Sequence, residues 1–181
     1  MKIFTTALNG VLLLEGMLRR DERGYFTELF NRREFQAASG LNVDFVQDNL
    51  SHSHRNVLRG LHYQVHEPQG KLIRVLHGEV FDVIVDLRRS SPSYGQSAGF
   101  KLNAGQPQAL WVPPGLAHGF LALSETVDCL YKTTTHYAPQ HERCLRWDDP
   151  RLGITWPLQA PPLLSARDRL AKGWNEVDKF D

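Results

Sequence analysis

The sequence predicts an all-β chain, a sandwich or jelly-roll barrel, on three observations. Short segments rich in Val, Ile, Phe, Tyr and Thr recur along most of the 181 residues. They are separated by Gly, Pro or Asn, and only two stretches carry the punctuation of a helix. The first helix is expected over 32–39, with Asn31 as its cap, Glu34 three residues on to complete a capping box, and Gly40 as its stop. Strands are then expected at 43–47, 57–64, 71–77, 79–87, 97–102, 109–112, 118–123 and 127–136. Gly78-Glu79 suggests a tight hairpin between two of them, and in the second Phe81, Val83, Val85 and Leu87 alternate with Asp82, Ile84 and Asp86. One face of that strand therefore carries two carboxylates. Pro113-Pro114-Gly115 has the order of a type II turn and reverses the chain just before His118. The proline-rich stretch 157–162 should be extended. It leads to a second short helix, 166–172, capped by Ser165 with Asp168 at the matching box position and ended by Gly173.

At 41% hydrophobic, residues 1–181 are expected to form a single domain, one that buries roughly 70% of its unfolded surface. Cys129 and Cys144 lie outside any metal-type spacing and are expected as small core residues. With no basic-then-apolar leader at the start of the sequence, a reducing cytoplasm is the expected compartment. Apolar runs such as 11–14 and 83–85 are too short to cross a bilayer. A net charge of +1, from 21 basic and 20 acidic residues interspersed, makes no polyanion-binding surface. Nucleic acid and membrane are thus not expected as partners, whereas a small anion held by a few arginines in a cleft is compatible with that charge.

The stretch Arg59-Gly60-Leu61-His62-Tyr63-Gln64 sets a cation and an imidazole together in an expected strand. Strict alternation would send Arg59 and His62 to opposite faces. A bulge at Gly60 resets the phase and lets both enter one cavity.

The order of further motifs resembles the dTDP-4-dehydrorhamnose 3,5-epimerase family of the cupin superfamily. It begins with Asp21-Glu22-Arg23-Gly24-Tyr25-Phe26-Thr27-Glu28 and Phe45-Val46-Gln47-Asp48-Asn49, then the Arg59–Gln64 stretch. Gln69-Gly70-Lys71-Leu72, Gly78-Glu79-Val80-Phe81-Asp82-Val83, Trp111-Val112-Pro113 and Ala117-His118-Gly119-Phe120 follow. Leu130-Tyr131-Lys132, Trp147-Asp148-Asp149-Pro150, Leu152-Gly153-Ile154 and Trp156-Pro157 close the series. The resemblance implies a cupin-type jelly-roll barrel with short peripheral helices. It also implies cofactor-free epimerisation of dTDP-4-dehydro-6-deoxy-D-glucose at C3 and C5, giving dTDP-4-dehydro-L-rhamnose. A hydrogen beside a ketone is removed when a base touches it while a cation or donor holds the enolate oxygen. A proton delivered from the opposite face then inverts the centre.

Carried over by resemblance, His62 is the base, Asp168 the carboxylate that orients it, Lys71 the cation near the keto oxygen, and Tyr131 the acid on the far face. Arg23, Gln47, Asn49, Arg59 and His118 match positions that hold the nucleotide and its diphosphate, and Phe26, Glu28 and Glu142 line the same site. Arg167 stands where the family usually has lysine, a change that keeps the charge but not the geometry. The family's N-terminal segment crosses to a neighbouring subunit, so residues 23–28 are expected to complete a partner's pocket in a homodimer.

Three other readings stay open at this level. One is a relative that inverts C3 only, or a keto-isomerase. Another is a metal-dependent cupin, since Pro113-x-Gly115-x-x-His118 matches the second cupin signature and His52-x-His54 offers two more imidazoles, although the first signature lacks its paired histidine. The last is a sugar-nucleotide binder without catalysis, which would have no use for an imidazole and a phenol on opposite walls.

Overall fold

In the computed structural model, which describes residues 1–181, the apolar strands fall into two antiparallel sheets. One has six strands in the order β1 (Lys2–Thr5), β2 (Leu12–Glu15), β10 (Gln108–Val112), β7 (Lys71–His77), β12 (Thr126–Thr133) and β5 (Gln47–His54). The other has five, β13 (Glu142–Cys144), β6 (Leu58–Gln64), β11 (Leu116–Ala122), β8 (Glu79–Asp86) and β9 (Ser97–Asn103). A separate hairpin joins β3 (Leu18–Asp21) to β4 (Gly24–Thr27). β7 and β8, and again β10 and β11, are consecutive in the chain but lie in different sheets, which is how a jelly roll closes.

The inner faces share a core that includes Ile73, Val80, Ile84, Leu110, Phe120 and Val127. Alternation along β8 sends Val83 and Val85 to the opposite face, where Leu145, Leu152, Trp174 and Val177 of the C-terminal segment cover them. A third cluster lies under helix α1 (Arg32–Ser39), where Phe35 packs against Leu14, Leu72 and Trp111. An eight-residue helix is marginal alone, so burial of Phe35, worth roughly 1.5–3 kcal/mol, is what holds α1.

Several expectations need correction. Gly78-Glu79 makes no hairpin: the chain turns there from one sheet to the other, at a glycine with φ of +75° where a Cβ would collide with the Thr126 carbonyl oxygen. The strand expected at 43–47 instead runs over Gln47–His54, as an edge strand. β1 to β4 and β13 were not expected, and β12 stops at Thr133 rather than continuing to 136. Helix α1 and both of its caps match the expectation: Asn31 Oδ1 accepts from the Glu34 amide, and Gly40 adopts the left-handed conformation. The second helix, α2 (Ala166–Arg169), ends three residues short of the expected bound, because Lys172 leaves the helical path to bridge Leu145. Cys129 is fully buried, whereas Cys144 is only half-buried.

Candidate active site

The bulge expected at Gly60 is present. Arg59 pairs with Phe120 and His62 with His118, so three steps along β6 oppose two along β11. The two strands touch back to back at glycines: a Cβ on Gly60 would lie 2.5 Å from the Gly119 Cα. Leu61 and Tyr63 therefore join the outer core, while Arg59 and His62 both face a cavity of about 360 Å3 between the sheets.

Both sheets furnish this cavity. The five-stranded sheet contributes Arg59 and His62 from β6, His118 and Phe120 from β11, and Glu142 from β13. The six-stranded sheet contributes Gln47, Asn49 and Ser51 from β5, Lys71 from β7 and Tyr131 from β12. Strand periodicity explains the β5 set, since every second residue faces inward while Leu50 between them is exposed. His62 and Tyr131 thus stand on opposing walls.

His62 Nε2–H donates to Asp168 Oδ1 at 2.6 Å, which leaves Nδ1 as the free ring nitrogen. Asp168 is the buried residue of α2, its other oxygen accepting from the Ser165 hydroxyl at 2.8 Å while its own amide donates to Ser165 Oγ at 3.1 Å. The residue is therefore both part of the helix cap and the partner of the histidine. Burial raises its carboxyl pKa, but the hydrogen bonds from His62, Ser165 and Cys144 and the His62 charge outweigh it and hold the group below its ordinary value.

Lys71 is 7% exposed and its Nζ donates to the His62 carbonyl at 3.3 Å. Burial pushes its pKa down to about 8, with Asp82 opposing through its charge. Burial likewise raises the Tyr131 phenol, so it keeps its proton at neutral pH, although Arg59 pulls the other way. His118 Nε2–H donates to Asp82 Oδ2 at 2.8 Å, and Asp82 Oδ1 has no partner. Arg59 is fixed by Ser53 Oγ at 3.0 Å and the His52 carbonyl at 3.1 Å. Gln47 donates to Asn49 at 2.7 Å and accepts from the Tyr137 amide at 2.9 Å.

Of the residues singled out in the sequence, the cavity brings together His62, Tyr131, Lys71, Gln47, Asn49, Arg59, His118 and Glu142, with Asp168 directly behind His62. Arg23, Phe26 and Glu28 do not line it. Arg23 and Phe26 lie on the β3–β4 hairpin, Phe26 is 71% exposed, and Arg23 pairs only with Asp21 at 2.5 Å. Arg167 bonds Glu142 from outside the cavity wall. Residues not singled out also contribute: Tyr137, whose hydroxyl donates to Glu142 Oε2 at 2.6 Å, with Ser51, Gln64 and Gln69. Tyr137 follows a Thr-rich run in a loop, where nothing in its neighbours signals a site. Gln64 and Gln69 sit inside motifs that the sequence displayed. The three imidazoles of the metal reading do not converge, because His52 is exposed and bonds Asp128, while His118 is turned to Asp82.

Comparison with known proteins places these features in a family. The family described as dTDP-4-dehydrorhamnose 3,5-epimerase matches residues 5–176. A Pseudomonas aeruginosa dTDP-4-dehydrorhamnose 3,5-epimerase is 53% identical over 180 residues, covering 99% of each chain. The Salmonella typhimurium enzyme of the same name is 49% identical over 172 residues, covering 94% of each. A Legionella pneumophila dTDP-6-deoxy-D-glucose-3,5-epimerase, crystallised with dTDP-4-keto-L-rhamnose, superimposes with a TM-score of 0.95 at 44% identity. The match covers 98% of this chain and 94% of that one.

Proposed function

The chain belongs to the dTDP-4-dehydrorhamnose 3,5-epimerase family, and on that premise we propose how its own residues invert C3 and C5 of dTDP-4-dehydro-6-deoxy-D-glucose. Both centres flank the C4 ketone, so one chemistry serves both. His62 Nδ1 takes the hydrogen from carbon. Asp168 holds the ring in the tautomer that leaves this nitrogen free and steadies the imidazolium that forms. Lys71 faces the developing enolate oxygen with its charge. Tyr131 returns a proton from the other wall, which inverts the carbon. The observation that carries this reading is the placement of His62 and Tyr131 on opposing sheets of one cavity. Arg59, His118, Gln47 and Asn49 are the polar groups offered to the nucleotide and diphosphate, with Glu142 beside them.

We read residues 1–181 as one domain that acts as a homodimer. The β3–β4 hairpin supports this, because an isolated two-stranded ribbon with exposed Tyr25 and Phe26 lacks the packing that would stabilise it alone. Placed in a partner's pocket, Arg23, Phe26 and Glu28 would supply the substrate contacts that they do not make in their own subunit. The cytoplasm is the proposed compartment, on the strength of two unpaired cysteines.

Incubating the protein with the keto sugar nucleotide in deuterated water and reading label at carbon tests the reaction. Label at both C3 and C5 is expected. Label at C3 alone would reduce the enzyme to a 3-epimerase, and no label would remove the proposed chemistry.

A further inference from the structure

Beside the His62–Asp168 pair stands a third group that the reaction does not use. Cys144 on β13 is paired in register with His62 on β6, and its thiol donates at 3.5 Å to the same Asp168 oxygen that accepts from His62. A ring nitrogen of His62, the Cys144 sulfur and an Asp168 oxygen lie within 4.8 Å of one another. Ligands on a tetrahedral zinc ion at its usual bond lengths stand roughly 3.4 Å apart. The 3.5 Å Cys144–Asp168 pair already has that spacing, and the 2.6 Å His62–Asp168 contact has to open to reach it. One imidazole, one thiolate and one carboxylate suit a borderline-soft ion and not magnesium or calcium, which take oxygen donors. Cys144 also lines a cavity of about 180 Å3 on the outer side of the wall, where the carboxylates of Glu142, Glu176 and Asp178 alternate with the cations of Arg143, Arg167 and Lys172, so this residue is reached from a side other than the substrate cavity.

We infer that His62, Cys144 and Asp168 form an inhibitory site for a thiophilic divalent cation, zinc foremost. The inhibition, though not the site itself, rests on the assignment of His62 as the base. On binding, Cys144 releases its thiol proton to solvent, and His62 Nε2 turns its lone pair to the ion while its proton shifts to Nδ1. Water fills the fourth position. Nδ1 then carries a hydrogen and has no lone pair left for the sugar, so turnover stops although the cavity stays open to the nucleotide.

Two readouts on protein purified without a metal-affinity resin test this, the first with cobalt(II) as the probe. Cobalt should produce a near-ultraviolet thiolate-to-metal band that Cys144→Ala abolishes. Cys129 is fully buried in the core and offers no alternative thiolate. In the second, zinc should suppress deuterium incorporation into the substrate reversibly on chelation, and Cys144→Ala should raise the half-inhibitory zinc concentration at least about tenfold, each variant being compared with its own metal-free rate. Cys144→Ser, nearly isosteric, replaces the alanine variant if that one does not fold. Absence of the band, or its survival in the variant, would overturn the site. A band lost on substitution while zinc leaves turnover untouched would overturn the inhibition and point to the role of His62.

Discussion

Asp168 Oδ1 and His62 Nε2 meet at 2.6 Å although 106 residues of chain separate them, and the carboxylate that does this also belongs to the cap of α2. The cap and the dyad are one structure. The C-terminal segment therefore delivers the partner of the proposed base, and on the proposed mechanism activity would require it to dock on the five-stranded sheet.

Replacing the proposed base tests that relationship at its other end. His62→Ala should lower turnover by about 10² to 10⁴ while dTDP binding, measured calorimetrically, stays within a few-fold of the parent. Near-normal turnover would take His62 out of the reaction. Asp168→Asn should also slow turnover, since the amide no longer enforces the tautomer with Nδ1 free.

Tyr131→Phe separates the two walls. It should slow formation of the inverted product more than it slows exchange of the substrate's own hydrogens with solvent. Equal slowing of both would mean that the phenol is not the second proton donor.

Burial of Lys71 comes at a cost to stability. Its pKa is about 8 when folded against an ordinary 10.5, so between those values the unfolded chain binds more protons, and stability rises with pH through that window. Below it, the buried charge costs on the order of 3 kcal/mol. Lys71→Met should then raise the urea midpoint at pH 7, lose that advantage by pH 10.5, and have much reduced activity. A less stable variant at pH 7 would contradict the burial penalty.

The hairpin proposal is tested by complementation. Arg23→Ala and His62→Ala, each inactive alone, should recover activity when unfolded together and refolded, because a mixed dimer contains one site with both residues intact. Random pairing predicts about a quarter of the parental rate. No recovery despite verified mixing would place Arg23 outside the partner's site.

His118 and Asp82 form the second buried pair. With Asp82 Oδ1 already unpartnered, His118→Ala leaves the whole carboxylate without a hydrogen bond and should destabilise the fold by about 2 kcal/mol or more. Denaturant unfolding checks the value, and an unchanged midpoint would refute it.

Legibility in the sequence followed chemistry rather than position. Apolar strands such as β7 and β8 and the caps of α1 were readable because burial and left-handed glycine leave local signatures. β5 was misplaced because Gln47–His54 is almost wholly polar: its inward face meets a cavity lined by polar side chains and its other face meets solvent. The Gly78 turn misled because a glycine between two strands signals reversal but not which sheet receives the second strand. In the cavity, residues inside motifs could be anticipated, whereas Tyr137 and Cys144 take their place from register and loop path, which no local pattern encodes.

The bulge at Gly60 makes the site depend on an irregular strand. A Cβ at position 60 would collide with Gly119, so a larger residue there forces β6 and β11 apart or into regular pairing, and in regular pairing from His62 the three-residue spacing would turn Arg59 toward the layer occupied by Leu61 and Tyr63. Such a chain would keep its sheets and lose its grip on a diphosphate, so at this spot the lack of a side chain is under tighter constraint than the identity of most side chains around it.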